Sequence, residues 1–340
     1  MTQTTLPTLT QYVPEHLRVG SPDVVGPLAV FPLFGPEARL DYLAFSAAVA
    51  RGVVVHELSR AASVNDLSVT NPLDVGVLLY DGEEVLGAQQ NRTFDVSVLV
   101  PAQSKLDVPV SCVEHGRWDG SRHGEALAPA PQAAYPELRR LKAARVRERA
   151  AAGLEARAAQ NEVWEEVAHK HDRMGTESDT GAMHDVFEQR RERLGELRAG
   201  ITSHDGQVGM LAAIGGRFSV LDHASRPEVF ASLEEPLIQG YALDALEATA
   251  SETPSVEEAG AFVAQVLEQR LFESDGIGLG RAGRFEGGGV AGAALLCGDE
   301  LVQLTAFTEE NGDAGDSRAA ARRARIRRPS RRRTGWACGS

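Results

Sequence analysis

Two segments decide how this chain reads: Gly82-Glu83-Glu84-Val85-Leu86-Gly87-Ala88-Gln89-Gln90-Asn91-Arg92-Thr93-Phe94-Asp95-Val96-Ser97-Val98-Leu99-Val100, and Val108-Pro109-Val110-Ser111-Cys112-Val113-Glu114-His115-Gly116-Arg117-Trp118. Each runs a strand-like alternation into a cluster of polar side chains. Alternate residues of a strand share a face, which places Arg92 with Phe94, Val96 and Val98, and Glu114 with Val108, Val110 and Cys112. Both charges then sit at the ends of core-facing stripes. An ion taken out of water without a partner is costly, and the expectation is that Gln90, Asn91, Arg92, Glu114, Arg117 and Trp118 converge on one partly buried polar pocket.

Outward from these segments, the first half of the chain is rich in short strands. Pro27 to Phe34 suits an edge strand, Tyr42 to Arg51 a short helix closed by Gly52, and Val53 to Leu58, Asn65 to Thr70 and Val75 to Tyr80 further strands. About six strands up to Glu114 suggest an antiparallel sheet or sandwich. Glu137 to Arg173, rich in Ala, Arg and Glu, reads as one long charged helix, and Gly175 to Gly181 breaks it from a second helix containing Val186, Phe187, Leu194 and Leu197. Beyond them lie a hairpin turning at Gly215-Gly216, a helix from Pro227 to Ala250 with a break near Pro236, a capping box at Ser255 and Glu258, and a last hairpin around Gly298-Asp299.

The expected class is α+β. Its expected parts are an extended lead-in (1–22), one domain (23–310) and a disordered arginine-rich tail (311–340). Within the domain, a β-rich part (23–120) is followed by a charged helical hairpin (137–199) and a mixed part (206–308) in which hairpins pack with helices.

The net charge of −13 argues against a general nucleic-acid or membrane binder. Nine arginines and no acids lie between Arg318 and Ser340, leaving −13 − 9 = −22 on the rest, so RNA or phosphate contact is expected at most through the tail. Cys112, Cys297 and Cys338 form no CxxC pair, and the histidines have no metal-ligand spacing, which fits a cytoplasmic protein without a structural zinc site. Gly278-Leu279-Gly280-Arg281-Ala282-Gly283 matches the dinucleotide pattern but has a helix before it and a strand after it, the reverse of what that fingerprint needs. The residues themselves specify neither a cofactor nor a metal.

Glu114 is the candidate general acid or base, with a structural ion pair to Arg92 or Arg117 as the equally weighted alternative. Cys112 reads as a small buried hydrophobe or, beside Arg117, as a thiolate nucleophile. Gln90 and Asn91 carry groups suited to a ribose or nucleobase, and Trp118 can stack on a ring.

At these residues the chain resembles the domain named for its association with ADP-ribosylglycohydrolases and the rhodanese-phosphatase superfamily. The likeness rests on Asn71, Gly82-Glu83, Gly87 to Arg92, Ser111 to Glu114 and Arg117-Trp118, then on Gln160 with Trp164 and on Gly240 to Ala245, over roughly residues 20–310. One departure is Gln89, where the family usually has a basic or small residue. The resemblance implies an α+β domain linked to NAD-derived or ADP-ribose metabolism without an assigned reaction, and adds Asn71 and Glu83 to the candidate substrate-binding residues.

Two functions remain open on the sequence. One is hydrolysis of a nucleotide-like or ADP-ribose-derived substrate, with Glu114 activating water, Arg92 and Arg117 holding phosphate, and Gln90 with Asn91 orienting the ligand. The other is a non-catalytic module that senses a nucleotide or docks a protein partner through the hairpin of residues 137–199.

Overall fold

The computed structural model describes residues 6–13, 17–58 and 65–309. The tail expected to be disordered, Cys338 included, lies outside the described residues, as does part of the lead-in. The chain is α+β with antiparallel sheets.

Six antiparallel strands of the first half close into a small barrel in the order Ser104–Cys112, Asp66–Asn71, Val54–Glu57, Ala126–Ala133, Glu83–Leu86 and Arg92–Phe94. Alternate residues fill it: Val55, Leu67, Val69, Val85, Phe94, Val108 and Val110 are all buried in one cluster. Closure removes the sheet edges that an open sheet or sandwich would leave. The closing strand, Ala126–Ala133, contains Pro129 and Pro131, residues that argue against a strand, and it tolerates them through a register shift between Pro129 and Ala133. A three-stranded sheet, Val98–Val100, Gly76–Leu79 and Tyr42–Ala44, flanks the barrel, its last pair parallel. Tyr42–Ala44 leads into helix α1 (Phe45–Val49).

A nine-stranded antiparallel sheet joins the two ends of the chain. In it Leu28–Phe34 lies between Gln207–Ile214 on one side and the short strands Arg18–Val19 and Asp23–Val25 on the other, so it is an inner strand rather than an edge. Pro32 fits there because it falls between those two short strands, where no amide is needed. One face of the sheet carries Val30, Met210, Ala212, Leu295 and Phe307 into the main core; the other carries Phe31, Leu211, Leu221, Phe285 and Leu304 against helix α6 (Val256–Leu267). Burial on both faces explains strands that are apolar almost throughout.

Helices α2 (Pro136–Ala151), α3 (Gln160–Met174), α4 (Met183–Ala199) and α5 (Pro227–Ala245) cover the first face. Where one long helix was expected the chain makes α2 and α3, because Gly153 turns into the left-handed region with φ +71°. Helix α5 runs through Pro236 without a break; Val229, Phe230, Leu233, Leu237, Ile238 and Tyr241 are buried around it, and this packing outweighs the hydrogen bond that proline removes. The large apolar residues of the hairpin expected to dock a partner are buried inside the chain, since Leu138, Val163, Val167, Phe187 and Leu194 all belong to the main core. No helix among the described residues is long and apolar enough to cross a membrane.

Helix α2 is not the exposed charged rod its composition suggests. Arg139 and Lys142 are each only 2% exposed. Arg139 donates to both oxygens of Asp222 at 2.8 and 2.7 Å, and from Nε and Nη2 to Asp81 at 3.2 and 3.0 Å. The hydroxyls of Tyr80 and Tyr241 also donate to Asp222, at 2.9 and 2.6 Å. Burial alone would raise the Asp222 pKa, yet Arg139 and these hydroxyls hold it below the usual carboxylate range. One turn on, Lys142 pairs with Asp95 at 3.1 Å. Breaking a buried pair from one side leaves an uncompensated charge, so Asp222→Asn should lower the free energy of unfolding by about 3–5 kcal/mol. Urea denaturation reads this directly, and a loss below about 1 kcal/mol would place the pair among those worth no more than surface ion pairs.

Candidate functional site

The barrel has a polar mouth. Register pairs Cys112 with Arg92 across neighbouring strands, and alternation turns both inward beside Glu57. Arg92 is fully buried; Nη1 donates to Gln90 Oε1 at 3.1 Å and Nη2 to Glu57 Oε1 at 3.4 Å, while Nε has no partner among the described residues. The Trp118 ring lies over this guanidinium, 5.8 Å from ring centre to Cζ, and the residue keeps 54% of its surface exposed. The indole thus rests near one guanidinium while more than half of the residue's surface stays open.

Glu114 does not enter the barrel. Past Cys112 the chain peels away to run beside residues 180–183, with Met183 N donating to Val113 O at 2.8 Å and Gly116 N to Thr180 O at 2.6 Å. There Glu114 Oε1 accepts from Arg117 Nε at 2.8 Å and Thr180 Oγ1 at 2.9 Å. Its Oε2 accepts from Arg117 Nη2 at 2.6 Å and the Asn91 amide at 3.0 Å. A carboxylate offers about four acceptor sites, and all are taken. Burial works to raise the Glu114 pKa, but these bonds outweigh it and hold the group below its usual value. The ion-pair partner of Glu114 is therefore Arg117, not Arg92.

Arg117 also fixes the loop between the two clusters, donating to Ala88 O at 2.7 Å and Asn91 Oδ1 at 3.0 Å. Ala88 sits at φ +43°, a strained conformation for alanine. The clamp holds Gln90 and Asn91 with their side-chain oxygens turned inward: Asn91 Oδ1 accepts from Gly87 N and Arg117, and Gln90 Oε1 from Arg92. Neither amide nitrogen is bonded within the described residues. Asp119 N donates to Gln89 O at 3.3 Å, keeping Trp118 beside this loop.

The expected site residues are thus brought together in part. Gln90, Asn91, Arg92, Cys112, Glu114, Arg117 and Trp118 form two clusters back to back, joined by the 87–91 loop. Of the two arginines expected to hold phosphate, Arg117 is occupied within the protein, and Arg92 is fully buried on Gln90 and Glu57 with its Nε unbonded among the described residues. Burial pushes the Cys112 thiol up to about 11, so it stays protonated near neutral pH. Asn71 stands apart: it pairs with Ser104 at the far end of the strand that ends in Cys112, bonds Val75 O and Leu73 N within its own turn, and reaches Pro101 O beside Ser104. Glu83 is also remote, accepting from Tyr80 N at 2.7 Å near Arg139.

Glu57, Thr180 and the Glu84–Gln132–His184 cluster escape a reading of the two motif segments alone, because distant elements supply most of them. Gln132 Nε2 lies 2.6 Å from Glu84 Oε2 and 2.8 Å from His184 Nδ1, and Glu84 Oε1 is buried without a partner. Gln160, which carried part of the resemblance, bonds both the N and O of Cys112 at 2.8 Å and ties α3 to the barrel. The Trp164 ring packs against His115, centroids 4.4 Å apart and planes tilted by 58°. Among the described residues no group of three or more His, Cys, Asp and Glu side chains is set to hold a metal ion.

The family model of the ARG and rhodanese-phosphatase-superfamily-associated protein domain matches residues 16–307, and the chain belongs to that family. No curated protein and no solved structure matches the chain.

Burial, with weaker contributions from Glu114 and Asp185 opposed by Gln132, pushes the Glu84 carboxyl up to about 8. Between the usual glutamate pKa of about 4.3 and that value, the unfolded chain has lost a proton that the folded chain keeps, so stability falls as pH rises. Glu84→Gln removes this loss. The variant should gain on the wild type in urea midpoint between pH 5 and 8, and a difference that does not vary with pH would contradict the assignment.

Proposed function

We propose that this domain recognises a nucleotide-like ligand, ADP-ribose or a relative of it, and does not hydrolyse it. The observation that carries the reading is the full occupation of the Glu114 carboxylate. Each of its oxygens already accepts two hydrogen bonds and the group is held ionised, so it has no acceptor site left for a water proton without dismantling the clamp on residues 87–91. A general base needs the opposite, an available lone pair and a pKa near the working pH.

What the mouth does offer is suited to recognition. The exposed indole of Trp118, with the Arg92 guanidinium near its ring, suits a planar base. The unbonded amide nitrogens of Gln90 and Asn91, residues only 4% and 7% exposed, would provide donors on a loop whose geometry is fixed, which lowers the ordering cost of binding. The family's association with ADP-ribosylglycohydrolases supports the choice of ligand class, and the base and ribose, more than the phosphates, would supply the contacts.

A thermal-shift and fluorescence titration with AMP, ADP-ribose and ribose 5-phosphate tests this. AMP and ADP-ribose should stabilise the fold, by about 2.7 kcal/mol at a hundredfold excess over Kd, and ribose 5-phosphate should not. Trp118→Ala should weaken binding by about 1–3 kcal/mol, the usual worth of a base stacked on an aromatic ring. Turnover of ADP-ribose that Glu114→Gln abolishes while binding persists would reverse the reading.

A further inference from the structure

A concave site lies between α2, the segment 94–97 and the sheet strands Arg281–Gly287 and Val290–Cys297. The space between these elements, open solvent at its mouth included, is roughly 630 Å³. Small residues make the room: Ala143 on α2 faces Ala282 and Ala293 on the sheet, and Val146, Leu295 and Phe307 make the rest of its apolar wall. Alternation along the strands explains the lining, since Phe285 turns to the α6 face while Ala282 and Arg284 turn to the α2 face.

Four cations border this cleft, and three have carboxylates of their own. Arg139 is paired with Asp222 and Asp81, Lys142 with Asp95, and Arg147 with Glu286 and Glu309. Arg284 differs. It is half-buried and donates to Ser274 Oγ at 3.1 Å, with no carboxylate partner among the described residues. Burial pushes its pKa down, as expected of a charge that has lost water and gained no counter-ion.

We infer that this cleft binds a small organic carboxylate with a compact apolar body, the carboxylate on Arg284 and the body against Ala143, Val146, Ala293 and Leu295. A guanidinium takes a carboxylate through two parallel hydrogen bonds, and a single negative charge matches the single uncompensated cation. A phosphate dianion would bring a second charge beside Asp81 and Glu286, and a strongly hydrated ion gains nothing from the apolar wall. The cleft shares no residue with the Trp118 mouth, so the two readings stand or fall separately.

Titration of the full chain with hexanoate, at constant ionic strength and followed by calorimetry, tests the inference against acetate and inorganic phosphate. Hexanoate should bind saturably, and acetate and phosphate at least about tenfold more weakly, the equivalent of 1.4 kcal/mol. Arg284→Gln should weaken hexanoate binding by about tenfold or more, the scale of one charged hydrogen bond. Ala143→Leu, which fills the cleft and leaves Arg284 in place, should abolish it; far-ultraviolet circular dichroism confirms that each variant is folded. Absence of saturable binding by the wild type, or binding unchanged in either folded variant, overturns the proposal.

Discussion

The guanidinium of Arg139 is the point on which the rest of the structure depends. It projects from α2 into the seam where the turn at Asp81, the central sheet strand bearing Asp222 and the last strand bearing Thr305 all meet. A buried cation with its acceptors fixed on three separate elements allows those elements one relative placement. Gly82 shows how tight the fit is, since a Cβ there would lie 2.6 Å from Arg139 Cδ, on a backbone already at φ +85°. Lys142 repeats the device one turn on, reaching Asp95, which also accepts from Ser111 Oγ and the Ala158 amide. Barrel, sheet and helices are thereby locked together by ions that apolar packing surrounds.

The candidate site follows from that placement. With the barrel held against the helical layer, the segment 113–116 can lie along residues 180–183 and the Thr180 hydroxyl reaches Glu114. Glu114 then orients Arg117, and Arg117 holds Ala88, Gln90 and Asn91 in a loop that alanine would not adopt unaided. The charges nearest the mouth therefore spend their hydrogen bonds on shape. On the function proposed above, such a clamp supports from behind a rigid recognition surface that includes the exposed indole of Trp118.

Much of this was legible in the sequence, and the limits have physical causes. Alternation correctly turned Arg92 and Cys112 toward a core, Gly215-Gly216 and Gly298-Asp299 marked real hairpins, and Ser255 with Glu258 forms the capping box. Alternation failed at Glu114, because the strand ends at Cys112 and period two has no meaning beyond it. Barrel closure was hidden by Pro129 and Pro131, and the burial of Arg139 and Lys142 by the charge of α2, whose partners lie far away in sequence. Composition registers a charged helix but not where its counter-ions are. The family likeness fell on Gly87 to Arg92 and Glu114 to Trp118, yet it could not distinguish a catalytic carboxylate from one that clamps a loop.

Phosphorus-31 NMR of ADP-ribose mixed with an equimolar amount of the full chain puts the central claim, recognition without hydrolysis, to its most direct test. Broadened or shifted pyrophosphate signals are expected, with no new phosphorus signal over a day, and they recover when excess AMP is added afterwards. New monophosphate signals growing with time, or a spectrum indistinguishable from that of ADP-ribose alone, would contradict it.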